Sequence, residues 1–296
     1  MEPAPPPFEL RTLTPRDREP LLRLLGRRPG SHVIGLGALQ AGALEHGSAA
    51  ALVTGAFAQG RLLAANFSFG GSALWVAGEP EAAAATIDLL HPGLLSARLL
   101  AGPEAPARAA WQRLQRHGRR ARFEVSQLVC ELARPAWPTA DSLAVRRAHE
   151  IDLDDVLDAS CRMHAEELGV PAEPWEVERY RHAARVQVEK GRSWCLRHAA
   201  TDRLIFKAAI AHPGHGAAML EGIWVAPGSR RAGVASRALR GLCGRLLERF
   251  DLVSLVVNAD NAPARALYAK LGFVETEGYL TVHLDEADAL PRPAGW

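Results

Sequence analysis

The residues Arg230-Arg231-Ala232-Gly233-Val234-Ala235-Ser236 stand between two kinds of pattern. Before them, a β-compatible run passes through Glu221, Ile223 and Val225; after them, Ala235, Leu239, Leu242 and Leu246 recur at helical spacing. Strand, glycine-containing loop and helix, in that order, make an anion site. The first turn of a helix presents N–H groups without intrahelical acceptors at the positive end of its dipole, so it can hold a pyrophosphate where small residues admit the phosphates to the backbone. Gly233 and Ala235 give that access.

A second segment follows at a telling distance: Val256-Val257-Asn258-Ala259-Asp260-Asn261-Ala262-Pro263-Ala264-Arg265-Ala266-Leu267-Tyr268-Ala269-Lys270-Leu271-Gly272-Phe273. The first motif resembles the Arg/Gln-x-x-Gly-x-Gly/Ala loop of the GNAT superfamily of acyl-CoA-dependent N-acyltransferases, through Arg230, Gly233 and Ala235. The second resembles that family's Asn, Ala, Tyr and Gly-Phe signature, and the two motifs with the strand and helix order around them cover roughly residues 143–284. Phe206-Lys207-Ala208, Gly222-Ile223-Trp224-Val225, Ser254 to Asn258 and Tyr279-Leu280-Thr281-Val282 are similar to a bacterial group of two-domain GNAT proteins with a DUF4081-like N-terminal domain. That narrower likeness brings no substrate with it.

The resemblance implies acetyl-CoA, or another short acyl-CoA, as co-substrate, held by the loop residues Arg230 to Ser236 and the backbone of Ile223, Trp224 and Val225. Arg231 stands where many relatives have glycine; it either crowds the loop or adds a phosphate contact. Aminolysis of a thioester needs a neutral amine, a stabilised oxyanion and a proton for the departing thiolate. Tyr268 falls where the family commonly has a tyrosine near the CoA sulfur, and a phenol can protonate a thiolate; its plain alternative is packing. Glu221 lies on the strand where similar proteins often place a base-assisting carboxylate, though strand glutamates are most often simply solvated. Asn258 and Asn261 match positions that contact the pantetheine arm, and Asn261 is also an N-cap for the helix that follows. Glu166 and Glu167 end a helix near the acceptor wall of such folds, where they would bind a cationic amine unless they are only a charged helix end.

The elements that must carry these groups read as follows. Residues 143–147 form a strand, 152–168 and 175–189 helices, and 194–198, 204–211 and 217–225 an antiparallel meander. A helix at 233–248, a strand at 252–257, a helix at 262–271 and two last strands, around Phe273 and at 280–284, complete the half. In the other half, strands at 8–13, 50–57, 61–68, 72–77, 95–100 and 122–132 alternate with helices in much the same order. Ala105-Pro106-Ala107-Arg108-Ala109 repeats Ala262 to Ala266, with Trp111 where Tyr268 falls. The fold class is therefore α/β (α+β): two GNAT-like domains, each a mixed, mostly antiparallel sheet flanked by helices. The first copy looks degenerate, because Gly78-Glu79-Pro80-Glu81 replaces the basic glycine loop and Trp111 has no hydroxyl. The polar, proline-rich segment 134–141 marks the boundary, giving domains at 1–140 and 141–296.

Composition excludes more than it selects. With 35 basic and 33 acidic residues the chain has no general charge for nucleic acid or anionic membranes, and 48% hydrophobic residues suffice for two cores. Nearly all its basic residues are Arg, with Lys only at 190, 207 and 270, which reads as codon bias. The four cysteines form no CxxC pair, no apolar run is long enough to span a bilayer, and His212 and His215 sit on a Pro-Gly turn without a carboxylate, so no metal is assigned. The expectation is a cytoplasmic N-acyltransferase that moves acetyl to a small-molecule or protein amine in a ternary complex, with a homodimer left open. The rival is an acyl-CoA-binding sensor without turnover.

Overall fold

A computed structural model describes residues 8–45, 51–90, 97–133 and 142–285; the boundary segment 134–141 lies outside them. The first elements in chain order are β1 (Glu9–Thr12), α1 (Arg18–Leu25), α2 (Val33–Gln40), β2 (Leu52–Ala58), β3 (Arg61–Phe69) and β4 (Ala73–Gly78). Then come α3 (Pro80–Thr86), β5 (Leu99–Pro103), α4 (Glu104–Arg116), β6 (Ala121–Ala133), β7 (Arg146–Arg147), α5 (Leu153–Leu168) and α6 (Pro174–Glu189). The rest are β8 (Ser193–Arg197), β9 (Leu204–Gly214), β10 (Ala217–Val225), α7 (Val234–Leu247), β11 (Leu252–Asn258), α8 (Ala262–Lys270) and β12 (Val274–Leu284). Among the described residues no helix is long and apolar enough to cross a membrane.

The chain divides into two compact units: Met1–Cys130 with Val256–Ala262 and Glu275–Trp296, and Glu131–Leu255 with Pro263–Val274. In the first, the strands run in the order β1-β2-β3-β4-β5-β12-β6. Neighbours β1 to β4 are antiparallel, β4 and β5 parallel, and β12 antiparallel to β5. Two apolar cores form, one around Leu21, Leu25, Phe67 and Trp75, the other around Val76, Leu100, Leu114 and Val282. The expected pair of short strands at the C-terminal end is instead the single strand β12, which pairs with β5 from Tyr279↔Pro103 to His283↔Leu99. Glu275 and Glu277 break the apolar pattern there, but ladder hydrogen bonds to a neighbour do not depend on side-chain polarity.

The second unit repeats the plan, with β7 to β10 antiparallel and β10 parallel to β11. The duplication is legible in detail. The APARA sequences open α4 and α8, each directly after the parallel strand. The β3–β4 and β9–β10 hairpins both turn through two left-handed residues, Gly70-Gly71 and His215-Gly216. Each copy also begins with the same ion-paired turn. Arg11 donates to both oxygens of Asp17 at 2.8 and 2.6 Å, and the Thr14 N–H donates to Asp17 at 2.9 Å. Arg146 donates to both oxygens of Asp152 at 2.7 and 2.9 Å, and the His149 N–H donates to it at 2.8 Å. A carboxylate held by a guanidinium fork and a backbone N–H pins the entry to the first helix in both units.

Within the first unit, β4 and β5 stay in close contact past their paired register. A Cβ on Gly102 would lie 2.4 Å from the Val76 carbonyl oxygen, and on the same strand as Val76 the Trp75 indole donates to the Tyr279 hydroxyl at 3.1 Å.

Candidate functional site

In the second unit the corresponding strand behaves differently. The parallel pairing of β10 with β11 runs from Ala217↔Leu252 to Leu220↔Leu255 and ends there. One residue later β10 bulges: its register with β9 passes from Glu221↔Ala209 to Trp224↔Lys207, so three steps on β10 match two on β9. Gly222, at φ 59°, is the residue that permits this, since a left-handed backbone suits glycine. The Lys207 ammonium donates to the Gly222 carbonyl at 3.1 Å and braces the bulge from the neighbouring strand.

Beside the bulge, α5 and α6 lie over the strands and enclose a cavity of about 290 Å³, whose lining includes Ser160, Arg179, Tyr180, Gln187, Lys207 and Glu221. Lys207 is only 7% exposed, and burial lowers its pKa to about 8, against the pull of Glu221, Glu167 and Cys161. The Glu221 side chain is exposed, and the protein crowded around it raises its pKa, opposed by Lys207, a hydrogen bond from Gln187 and Arg179. An acid pushed up and an ammonium pushed down differ less in proton affinity than in water. That is the condition for proton exchange near neutral pH.

The loop after β10 supplies the second part. Its chain turns through Pro227–Ser229, then Arg231 at φ 60° and Gly233 at φ 74°, before α7 starts at Val234. The αL conformation at Arg231 explains why glycine suits that position: a side chain there is strained. Gly233 is the N-cap, and α7 buries Val234, Ala238, Leu239, Leu242, Cys243, Leu246 and Leu247, which fixes the helix axis. The N–H groups of Val234, Ala235 and Ser236 lie in the first turn, where no intrahelical acceptor exists. Arg230 donates through Nε to the Val225 carbonyl at 2.9 Å and forks onto Glu166 at 2.9 and 2.7 Å. Two residues expected in different roles, phosphate binding and amine binding, thus hold each other.

Residues 154–273 match the acetyltransferase (GNAT) family. The chain carries a GNAT acetyltransferase domain. The match takes in the bulge, the loop, α7 and α8. Among curated proteins no relative matches. Of solved structures, a Drosophila protein is similar at 13% identity with TM-score 0.68, covering 94% of this chain and 99% of that one. A GCN5-related N-acetyltransferase from Sphaerobacter thermophilus is similar at 14% with TM-score 0.60, over 96% and 97%. A tandem GNAT protein from the clavulanic acid biosynthesis pathway is similar at 18% with TM-score 0.54, over 96% and 99%. Likeness at such identities concerns the fold, and the fold is a GNAT fold with tandem examples.

Other expected residues of the GNAT domain fall as follows. Tyr268 is 8% exposed on α8, its ring centre 5.8 Å from that of Phe273, and it does not line the 290 Å³ cavity. Trp224 packs into the core with Val156, Ala159 and Leu204. Glu167 is solvent-accessible, and its pKa is raised first by burial and then by Glu166, with Lys207 opposing. Asn258 and Asn261 belong to the first unit; Asn258 accepts from Gln127 Nε2 at 3.0 Å, and Asn261 precedes the first residue of α8.

Lys207, Arg179 and Gln187 are among the cavity residues that were not expected. For Lys207 a signal existed: in a chain that uses arginine almost throughout, Lys190, Lys207 and Lys270 are the only lysines. An ammonium is a compact donor that deprotonates when buried; a guanidinium is not, so arginine could not replace it here. For Arg179 and Gln187 no such signal exists, since both sit in an ordinary polar helix pattern. Among the described residues no group of His, Cys, Asp or Glu is placed to hold a metal ion.

Proposed function

We propose that this chain is an acetyl-CoA-dependent N-acyltransferase that passes the acetyl group directly to an amine in a ternary complex. The observation that carries the reading is the bulge at Gly222, which sets Glu221 and Lys207 in one cavity on the strand that leads into the phosphate-type loop.

The loop fits a pyrophosphate. Gly233 has open space around it, its nearest neighbour being Arg237 Nε at 3.8 Å, and the first-turn N–H groups of α7 would take the phosphate oxygens, with Arg231 beside them. Bound acetyl-CoA supplies an activated thioester carbonyl. Glu221 accepts a proton from the acceptor ammonium, directly or through water, and the freed amine forms the new C–N bond. Backbone N–H groups at Ile223 to Val225 steady the oxyanion. Tyr268 gives its proton to the thiolate as the C–S bond breaks and takes back the proton that the new amide nitrogen sheds, and Asn258 and Asn261 steady the pantetheine arm. Cys195 and Cys243, with pKa values pushed up to about 11 and about 12 by burial, and Cys161, also raised, are poor thiolates; this supports direct attack over an acyl-enzyme. Four cysteines outside any disulfide also support a cytoplasmic setting.

In the first unit we read a degenerate, DUF4081-like copy without a CoA site. The supporting observations are the close approach of Gly102 to Val76, together with the acidic residues Glu79 and Glu81 at the start of α3.

Calorimetric titration of acetyl-CoA into the protein and into Gly233→Glu tests the reading. About one site per chain is expected, lost in the variant. Gly233→Ala is the control: it carries the same left-handed strain, about 1 kcal/mol, without bulk or charge, and retains binding. No binding by the unaltered protein would sink the transferase.

A further inference from the structure

The side chains that line the cavity beside the bulge carry two positive charges and one negative, and Glu167 acts on Lys207 from outside the lining. Three charged side chains line it: Lys207, Arg179 and Glu221. Lys207 is 7% exposed, and among the described residues its ammonium has one hydrogen-bond partner, the neutral Gly222 carbonyl. A buried ammonium has three protons to place and a charge to balance; one carbonyl does neither fully. Arg179 rests over the rings of Tyr180 at 5.1 Å and Trp175 at 5.6 Å, and among the described residues it makes no ion pair with a carboxylate. The stacking and a hydrogen bond to the Tyr180 hydroxyl position the exposed guanidinium, whose remaining donors can meet another group. Glu221, the one lining carboxylate, feels the charges of both cations but forms no ion pair with either.

We infer that the acceptor is a small amine that also carries a carboxylate, its ammonium placed against Glu221 and its carboxylate against Arg179 and Lys207. This rests on the transferase reading of the same cavity. An amine whose only charge is positive would meet two cations there and leave both without a partner. A zwitterion supplies the missing anion and presents its nitrogen to the group that removes the proton. A volume of about 290 Å³ equals the liquid share of roughly ten water molecules, room enough for a free amino acid. Blocking the carboxylate, as a peptide bond does, removes the group that two of the three charges wait for.

The test uses the full chain with the twenty standard amino acids, their methyl esters, and the amines that decarboxylation leaves. Two readouts run in parallel: free-thiol release in the presence of acetyl-CoA, and calorimetric binding of the same compounds without it. At least one free amino acid should turn over with kcat/KM about 100-fold or more above that of its ester and amine. Arg179→Ala should raise KM for that acid about 10- to 100-fold while KM for acetyl-CoA stays unchanged, and Arg179→Lys should recover part of the loss. Equal turnover of acid, ester and amine would overturn the inference, as would the absence of both binding and turnover with every amino acid. Discrimination of acid from ester in binding by a protein that binds no acetyl-CoA would leave the ligand class standing and remove the transferase.

Discussion

Lys207→Met measures the electrostatic strain stored in the cavity. Burial lowers the pKa of this ammonium from 10.5 to about 8. At 1.36 kcal/mol per unit, the folded state disfavours the charged form by about 3 kcal/mol relative to the unfolded chain. The unfolded state therefore binds more protons between pH 8 and pH 10.5, and the stability of the unaltered protein rises through that window. Below pH 8 the cost is present in full. Methionine fills a similar volume without charge, so the variant lacks the cost at every pH, but it leaves the Gly222 carbonyl without its donor, a loss of about 1–3 kcal/mol. At pH 7 the variant should lie within about 2 kcal/mol of the parent, on the stable side. From pH 8 to pH 10.5 the parent should gain about 3 kcal/mol on it. Urea unfolding of both proteins at half-unit pH intervals reads the difference directly. A difference that stays flat, or one that moves against the parent as pH rises, would refute the claim that Lys207 is charged and poorly partnered.

Glu221→Gln should lower kcat about 10²- to 10⁴-fold with acetyl-CoA affinity unchanged, as stopped assays beside calorimetry would show. Because burial raises the Glu221 pKa and Lys207 pulls it back, the acid limb of kcat/KM should lie above the ordinary carboxylate range and move to higher pH in Lys207→Met. The two entry turns should differ in what their loss costs. Asp152 accepts from both Arg146 and Arg197 and is fully buried, so Asp152→Asn should cost about 3–5 kcal/mol; Asp17 has Arg11 alone and should cost less. The Arg11 hydrogen bonds hold the Asp17 carboxyl down to about 2, so its contribution, about 2 kcal/mol, is complete above pH 4 and lost as pH falls toward 2. Unfolding of parent and Asp17→Asn at pH 6 and pH 3 checks it.

Much of the fold was readable because duplication and helix starts leave local marks. The loop from Arg230 to Ser236 announced α7 through Gly233, and the APARA repeat put α4 and α8 in equivalent places. The bulge was less readable: a single glycine inside a strand run signals either a kink or a close approach, and only the register with β9 decides. Lys207 drew no attention because a lone lysine in a strand reads as composition until its surroundings are known. The matching Arg11 and Arg146 turns were present in the sequence at equal spacing from Asp17 and Asp152, but Thr14 and His149 differ too much to show kinship without the hydrogen bonds. The partner of β12 could not be read at all, since periodicity tells which face of a strand is apolar and says nothing of which strand lies beside it.

That last strand gives the chain an unusual order of completion. Val274–Leu284 belongs between β5 and β6, both of which leave the ribosome long before it does. At ordinary rates of synthesis the interval is on the order of ten seconds. During it the second unit has most of its chain, while the first has an open seam whose backbone groups wait for a strand not yet made. The half that begins the protein is thus the half that finishes last, and that seam is where its sheet stays open until synthesis reaches β12.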